Sequence, residues 1–123
     1  LVCSVALENI NLFKKKHLIG HIQKTSQTLK QRLEALQPHK NIGDIRGRGL
    51  MYGVELVENK STQTPLDIPT VELIIRRCKE NGLMIRNLEN VITFVPILSM
   101  SNKEIKKMVK IFDKALHQTL SKK

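Results

Sequence analysis

Aromatic side chains are nearly missing from this chain, which has no tryptophan, one tyrosine and three phenylalanines in 123 residues. Single-stranded nucleic acid is held largely by bases stacking on aromatic rings, so this scarcity argues against that class of partner. It does so despite 21 Lys+Arg against 11 Asp+Glu and a formal net charge of +10. The lysines are also scattered over predicted helix faces and form no stripe, the pattern of a solvated surface. Cysteine is scarce as well. Cys3 and Cys78 lie far apart with no Cys-x-x-Cys spacing, which suggests neither a disulfide framework nor a zinc site and fits a reducing, cytoplasmic setting. No apolar run approaches the roughly 18 residues of a membrane span, and no charged segment precedes a short apolar one as in a secretory signal. An initiator methionine is lacking too: the chain opens on Leu-Val-Cys-Ser-Val-Ala, already helical in pattern. The expectation is a fragment of something longer.

What is present is ordinary for a globular domain. The hydrophobic fraction is 41% and the charged fraction 26%, and the length suits one domain, taken as residues 1–123, with a modest core. Val2, Val5, Ala6, Ile10 and Phe13 recur at helical spacing and predict a first helix with one apolar face. Lys14 to Lys16 interrupt it. A second stripe, Leu18, Ile22, Thr25, Leu29, Leu33 and Leu36, runs until Pro38 stops it.

Gly43 to Gly49 reads as a glycine-rich turn that feeds a strand, along which Leu50, Tyr52, Val54 and Leu56 alternate onto one face. Gly53 interrupts that strand's other face, as where another backbone approaches, a bulge forms, or space is kept for a ligand. Asn59 to Asp67 reads as an exposed loop. Pro69 then suits the first turn of a helix bearing Val71, Ile74, Ile75 and Cys78, with Gly82 just past its end. Leu83 to Arg86 and Val91 to Val95 read as a hairpin joined by Asn87 to Asn90. Ser101-Asn102-Lys103-Glu104 carries the capping-box spacing. It opens a last helix with Ile105, Met108, Val109, Phe112, Leu116 and Leu120 inward, fraying at Ser121-Lys122-Lys123. The fold predicted is α+β: a small, mostly antiparallel sheet of about three strands with helices packed on one side.

Several motifs invite chemistry. Gly47-Arg48-Gly49 with Gly53 has phosphate-loop composition, but a dinucleotide site needs a helix after the glycines and here a strand follows. His17 and His21 stand four apart on a helix, the spacing of two metal ligands, yet no Glu follows the first and no third ligand is apparent, so surface histidines are expected. Asn59-Lys60-Ser61 is read as a loop and not as a glycosylation site. No Ser/His/Asp or Cys/His set can be assembled. Arg86 stands out at the end of a short apolar strand. It can fork bidentately onto a carboxylate, or it can be an edge-strand arginine snorkelling to solvent.

Together these stretches resemble the C-terminal small domain of the class-III aminotransferases, the ω-type group of the fold-type-I pyridoxal-phosphate enzymes. Ser4 to Ile10 is similar to the helix after the family's Gly-His-Pro segment. Gly43 to Leu56 resembles its Val-Arg-Gly-x-Gly-Leu-Met-x-Gly-x-Glu-Leu signature, and Gly82-Leu83-Met84-Ile85-Arg86 with Pro96-Ile97-Leu98 follows its Gly-Leu-x-x-Arg and Pro-Pro-Leu pattern. The resemblance implies a homodimeric transaminase moving an amino group between an amino donor and a keto acid or aldehyde. It also implies that the Schiff-base lysine, the aspartate on the pyridinium nitrogen and the phosphate site lie in a large domain upstream of Leu1. This chain would then be the specificity half, closing the active site but inactive alone, with no catalytic or cofactor-binding residue of its own.

Arg86 matches the arginine that meets substrate carboxylates in diaminopelargonate-type members. Thr93 stands where ornithine-type members carry a carboxylate-binding arginine and diaminopelargonate-type members a tyrosine, and it is expected in the same substrate site. The first helix's apolar face would pack on the large domain and leave the isolated chain prone to self-association. The alternative is a stand-alone basic α+β module binding an anionic ligand or nucleic acid.

Overall fold

A computed structural model describes residues 1–121; the fraying expected at Lys122 and Lys123 lies outside them. The described residues form α1 (Val2–Lys15), α2 (Leu18–Glu34), β1 (Ile42–Arg48), β2 (Met51–Asn59), β3 (Thr64–Pro65), α3 (Ile68–Glu80), β4 (Arg86–Leu88), β5 (Val91–Phe94) and α4 (Asn102–Leu120). The sheet is antiparallel throughout, in the order β1-β2-β5-β4, with β3 pairing onto β2. The α+β class holds. The sheet has five strands where about three were expected.

Two of the differences have one cause. Ile42 to Arg48 is a strand, although its two glycines and three charges give it little β propensity. It pairs along β2 through a two-residue loop, Gly49-Leu50, with Gly49 at φ 62°, the glycine-first pattern that short hairpins favour. Thr64-Pro65, expected as loop, likewise pairs with β2 at Val57 and Asn59 and leads into the buried Leu66. Both strands are made by their partner, whose nine residues are the longest in the sheet.

Tyr52, Val54 and Leu56 of β2, with Ile92 and Phe94 of β5, all face the core. There they meet Leu29 and Leu33 of α2, Val71 and Ile74 of α3, and the buried stripe of α4. Phe94 packs edge-on to Phe112, ring centres 5.2 Å apart. Both rings are essentially fully buried, a contribution of about 1.5–3 kcal/mol each. Buried Asn41 and Asn90 donate side-chain amides to the Val57 and Leu56 carbonyls (2.9 and 2.8 Å). They thereby satisfy backbone oxygens beside the register shifts of β2.

Helix ends follow their sequence signals. Asp67 caps α3 through the Thr70 amide at 3.0 Å. Gly82, at φ 85°, closes it in a Schellman turn, with Leu83 N–H on the Cys78 carbonyl and Gly82 N–H on that of Lys79. At α4 the Ser101 hydroxyl accepts from Glu104 N–H, and the Glu104 carboxylate accepts from Ser101 N–H. The Ser101 hydroxyl also donates to that carboxylate at 2.6 Å; this bond, then the one from Ser101 N–H, holds the Glu104 carboxyl below the usual range.

α1 buries none of its residues, and its apolar side stays open, from Val2 at 81% exposure to Ile10 at 54%.

Candidate functional site

The helices cover one face of the sheet and leave the other open. Register places Arg46, Gly53, Thr93 and Arg86 side by side in one row across β1, β2, β5 and β4. Arg46 is clamped by Asp44 at 2.9 Å and Glu55 at 2.7 Å. The Glu55 bond, then the Asp44 bond, raise its pKa above the usual guanidinium value. Arg46 therefore has its ionic partners within the sheet. Arg86 has no carboxylate partner among the described residues.

Arg86 does not end a strand, as its sequence setting suggested; it begins β4. The Schellman turn at Gly82 reverses the chain, and Leu83 to Ile85 cross without pairing before the ladder starts at the Arg86–Thr93 pair. The Thr93 hydroxyl donates to the Arg86 carbonyl at 3.1 Å, which ties the two expected site residues together and anchors the arginine's backbone. Both line a groove of about 660 Å³ at this end of the sheet. Leu83, Met84 and Ile85 form one wall, Val95, Pro96 and Ile97 another, and Phe94 and Met108 reach it from the core side. Arg86 is the only charged residue lining the groove among the described residues.

A guanidinium on an apolar groove suits one ligand chemistry well. A carboxylate can accept two parallel N–H bonds from it, and apolar walls keep the competing dielectric low. The lining supplies no amine and no carboxylate. A pyridoxal cofactor needs an amine for its aldehyde and an acid for its ring nitrogen, so these residues do not fit as its binding site.

The other motifs resolve structurally. His17 ends α1's turn at φ 45°, and its carbonyl starts the hydrogen-bond ladder of α2. The His21 ring donates through Nε2–H to the Met100 carbonyl at 3.0 Å, joining α2 to the approach of α4. Asn59 folds its side chain back onto the Ser61 and Thr62 amides. Burial pushes the Cys78 thiol up to about 11, as befits an inert core residue. Sequence reasoning missed that Met51, Met84, Met100 and Met108, all the methionines of the chain, line the same groove. Only the outward phase of Met51 in β2 could have hinted at it.

Comparison with known proteins agrees with this fold. The family model described as aminotransferase class-III matches residues 1–116. An adenosylmethionine-8-amino-7-oxononanoate aminotransferase of Staphylococcus aureus is 65% identical over 123 residues, covering all of this chain and 27% of that protein. A probable gamma-aminobutyrate transaminase of rice is 32% identical over 120 residues. Among solved structures, the adenosylmethionine-8-amino-7-oxononanoate aminotransferase of Methanocaldococcus jannaschii superposes with a TM-score of 0.90 at 32% identity, over 96% of this chain and 27% of that one. An omega transaminase from Pseudomonas jessenii gives the same TM-score at 29% identity, over 95% and 26%. The chain thus spans about a quarter of the length of the relatives it matches. Helical stripes and an antiparallel sheet are common, but a match from residue 1 to 116 carrying the glycine-rich hairpin and the Arg86 strand is specific: the chain belongs to the class-III aminotransferase family.

Proposed function

We propose that residues 1–123 form the small, substrate-specificity domain of an aminotransferase, and that Arg86 receives the carboxylate of the amino donor or acceptor. The observation that carries this reading is the single unpaired guanidinium on an otherwise apolar groove. Thr93 holds the Arg86 backbone at the start of β4 and leaves its hydroxyl oxygen free to accept a further bond. The groove's walls take the substrate's carbon skeleton, and the domain closes over it. Pyridoxal 5'-phosphate, with the lysine and aspartate that hold it, belongs to the large domain in this reading, and the whole enzyme acts as a homodimer.

The 65% identity to the Staphylococcus aureus protein supports a more specific assignment. An 8-amino-7-oxononanoate is a nine-carbon chain ending in a carboxylate, so it offers both an anion for Arg86 and methylenes for the apolar walls. Adenosylmethionine is then the amino donor. The independent basic binding module has no comparable support, because the class-III match runs through nearly the whole chain.

The test is an assay of the full-length protein, loaded with cofactor, on adenosylmethionine plus 8-amino-7-oxononanoate and, separately, on γ-aminobutyrate plus a keto acid. Amino transfer in the first pair is expected. Transfer confined to the second would contradict the substrate assignment, and none in either would contradict the function.

A further inference from the structure

The chain has four methionines and all of them line the Arg86 groove. They grade inward: Met84 is 88% exposed and Met51 66%, Met100 is half-buried, and Met108 is 7% exposed at the core side. Thioether side chains are flexible and polarisable, so such a wall adapts to varied apolar ligands. They are also the side chains that peroxides oxidise most readily after thiols, and oxidation makes an apolar side chain polar.

We propose that Met84 and Met51 are oxidation sites that control the groove, peroxide closing it to the apolar chain of a carboxylate substrate. In the reaction the peroxide transfers one oxygen to the thioether sulfur. An S–O bond forms, the O–O bond breaks, sulfur loses two electrons and water leaves. Each sulfoxide oxygen is a strong acceptor that a methylene chain cannot satisfy. Seating substrate against it means desolvating that oxygen without a partner. Arg86 lies two residues after Met84 and lines the same groove, so a sulfoxide there can also compete for the guanidinium as an acceptor. This inference rests on the groove being the substrate's site, as read above.

The experiment uses the full-length, cofactor-loaded protein, treated with hydrogen peroxide, quenched with catalase and then reduced with dithiothreitol to reverse cysteine oxidation. Peptide mapping should find the added oxygen on Met84 and Met51 before Met108. KM for the carboxylate substrate should rise roughly tenfold, the factor for one unpaired polar group, with little change for a simple amine. Methionine sulfoxide reductases should reverse the rise. The Met51→Leu/Met84→Leu variant, judged by its own ratio of treated to untreated KM, should show a ratio near one.

Unmodified Met84 and Met51 at doses that oxidise other methionines would overturn the proposal. So would full modification with the same ratio in wild type and variant. Arg86→Ala separates the two levels: if it selectively impairs carboxylate substrates while peroxide leaves KM unchanged, only the oxidation proposal falls. If it impairs no substrate selectively, the reading of the groove falls and this proposal with it.

Discussion

Arg46 and Arg86 stand in one row of one sheet face, yet their surroundings give them different work. Two carboxylates fix Arg46 as part of the β1–β2 hairpin, whereas Arg86 presents its guanidinium to a groove with no acid of its own. His39 is a third residue whose neighbours decide its behaviour. Its Nδ1 accepts from the Asn41 amide at 3.1 Å, so its remaining proton sits on Nε2, and its ring lies edge-on to His117 at 5.0 Å. Desolvation, then the charge of His117, lower its pKa from the ordinary 6.5; Lys40 and Lys60 add to this and Asp113 opposes it. The folded state therefore binds fewer protons than the unfolded state once pH falls below about 6.5, and stability should drop there. Urea midpoints should fall between pH 7.5 and pH 5.5 more in wild type than in His39→Gln. Equal pH dependence in the two would show that His39 is not the group responsible.

At the scale of elements, the helices were legible because their signals are local. Stripes at 3.6-residue spacing, the Ser101 box, Pro69 and Gly82 each act within a turn or two, and each does in the fold what its spacing predicts. The strands were less so. β1 has a sequence that reads as a turn because its stability comes from pairing with β2, which no local pattern encodes. The β4 boundary moved because the Schellman turn uses Leu83 to end a helix before the chain can pair. Arg86 and Thr93 were legible as neighbours, since a hairpin must bring them together, but the methionine lining was not, because it draws on β2, the α3–β4 link, the β5–α4 link and α4.

The hairpin offers a direct check. A Cβ on Gly47 would drive into the Met51 carbonyl oxygen and the Tyr52 ring, while one on Gly20, within α2, would meet nothing within 4 Å. Gly47→Ala should lower stability by about 1–3 kcal/mol, and Gly20→Ala should raise it by about 0.5–1 kcal/mol. Urea midpoints shifting in the same direction for both would contradict this account of the hairpin.

At the scale of the whole molecule, two surfaces are built for company. One is α1, which buries none of its residues and leaves Val2, Val5, Leu7 and Ile10 exposed; the other is the open sheet face that ends in the groove. In the aminotransferase reading both turn toward the large domain, and the excess of positive charge belongs to the remaining solvated surface. No described helix is long and apolar enough to cross a membrane. In that reading the division of labour would be chemical: this domain would recognise substrate and exclude water, and the cofactor domain would react.

That claim stands or falls on Arg86. In the full-length enzyme kcat/KM should be measured for a carboxylate-bearing substrate and for a simple amine, in wild type, Arg86→Ala and Arg86→Lys. Loss of the guanidinium–carboxylate pair predicts a fall of about a hundredfold or more for the carboxylate substrate in Arg86→Ala. Lysine should recover only part of it, because a point charge lacks the fork, and the amine should react nearly as before. If both substrates fell together, or neither fell, Arg86 would be a structural residue and the assignment of this groove would be wrong.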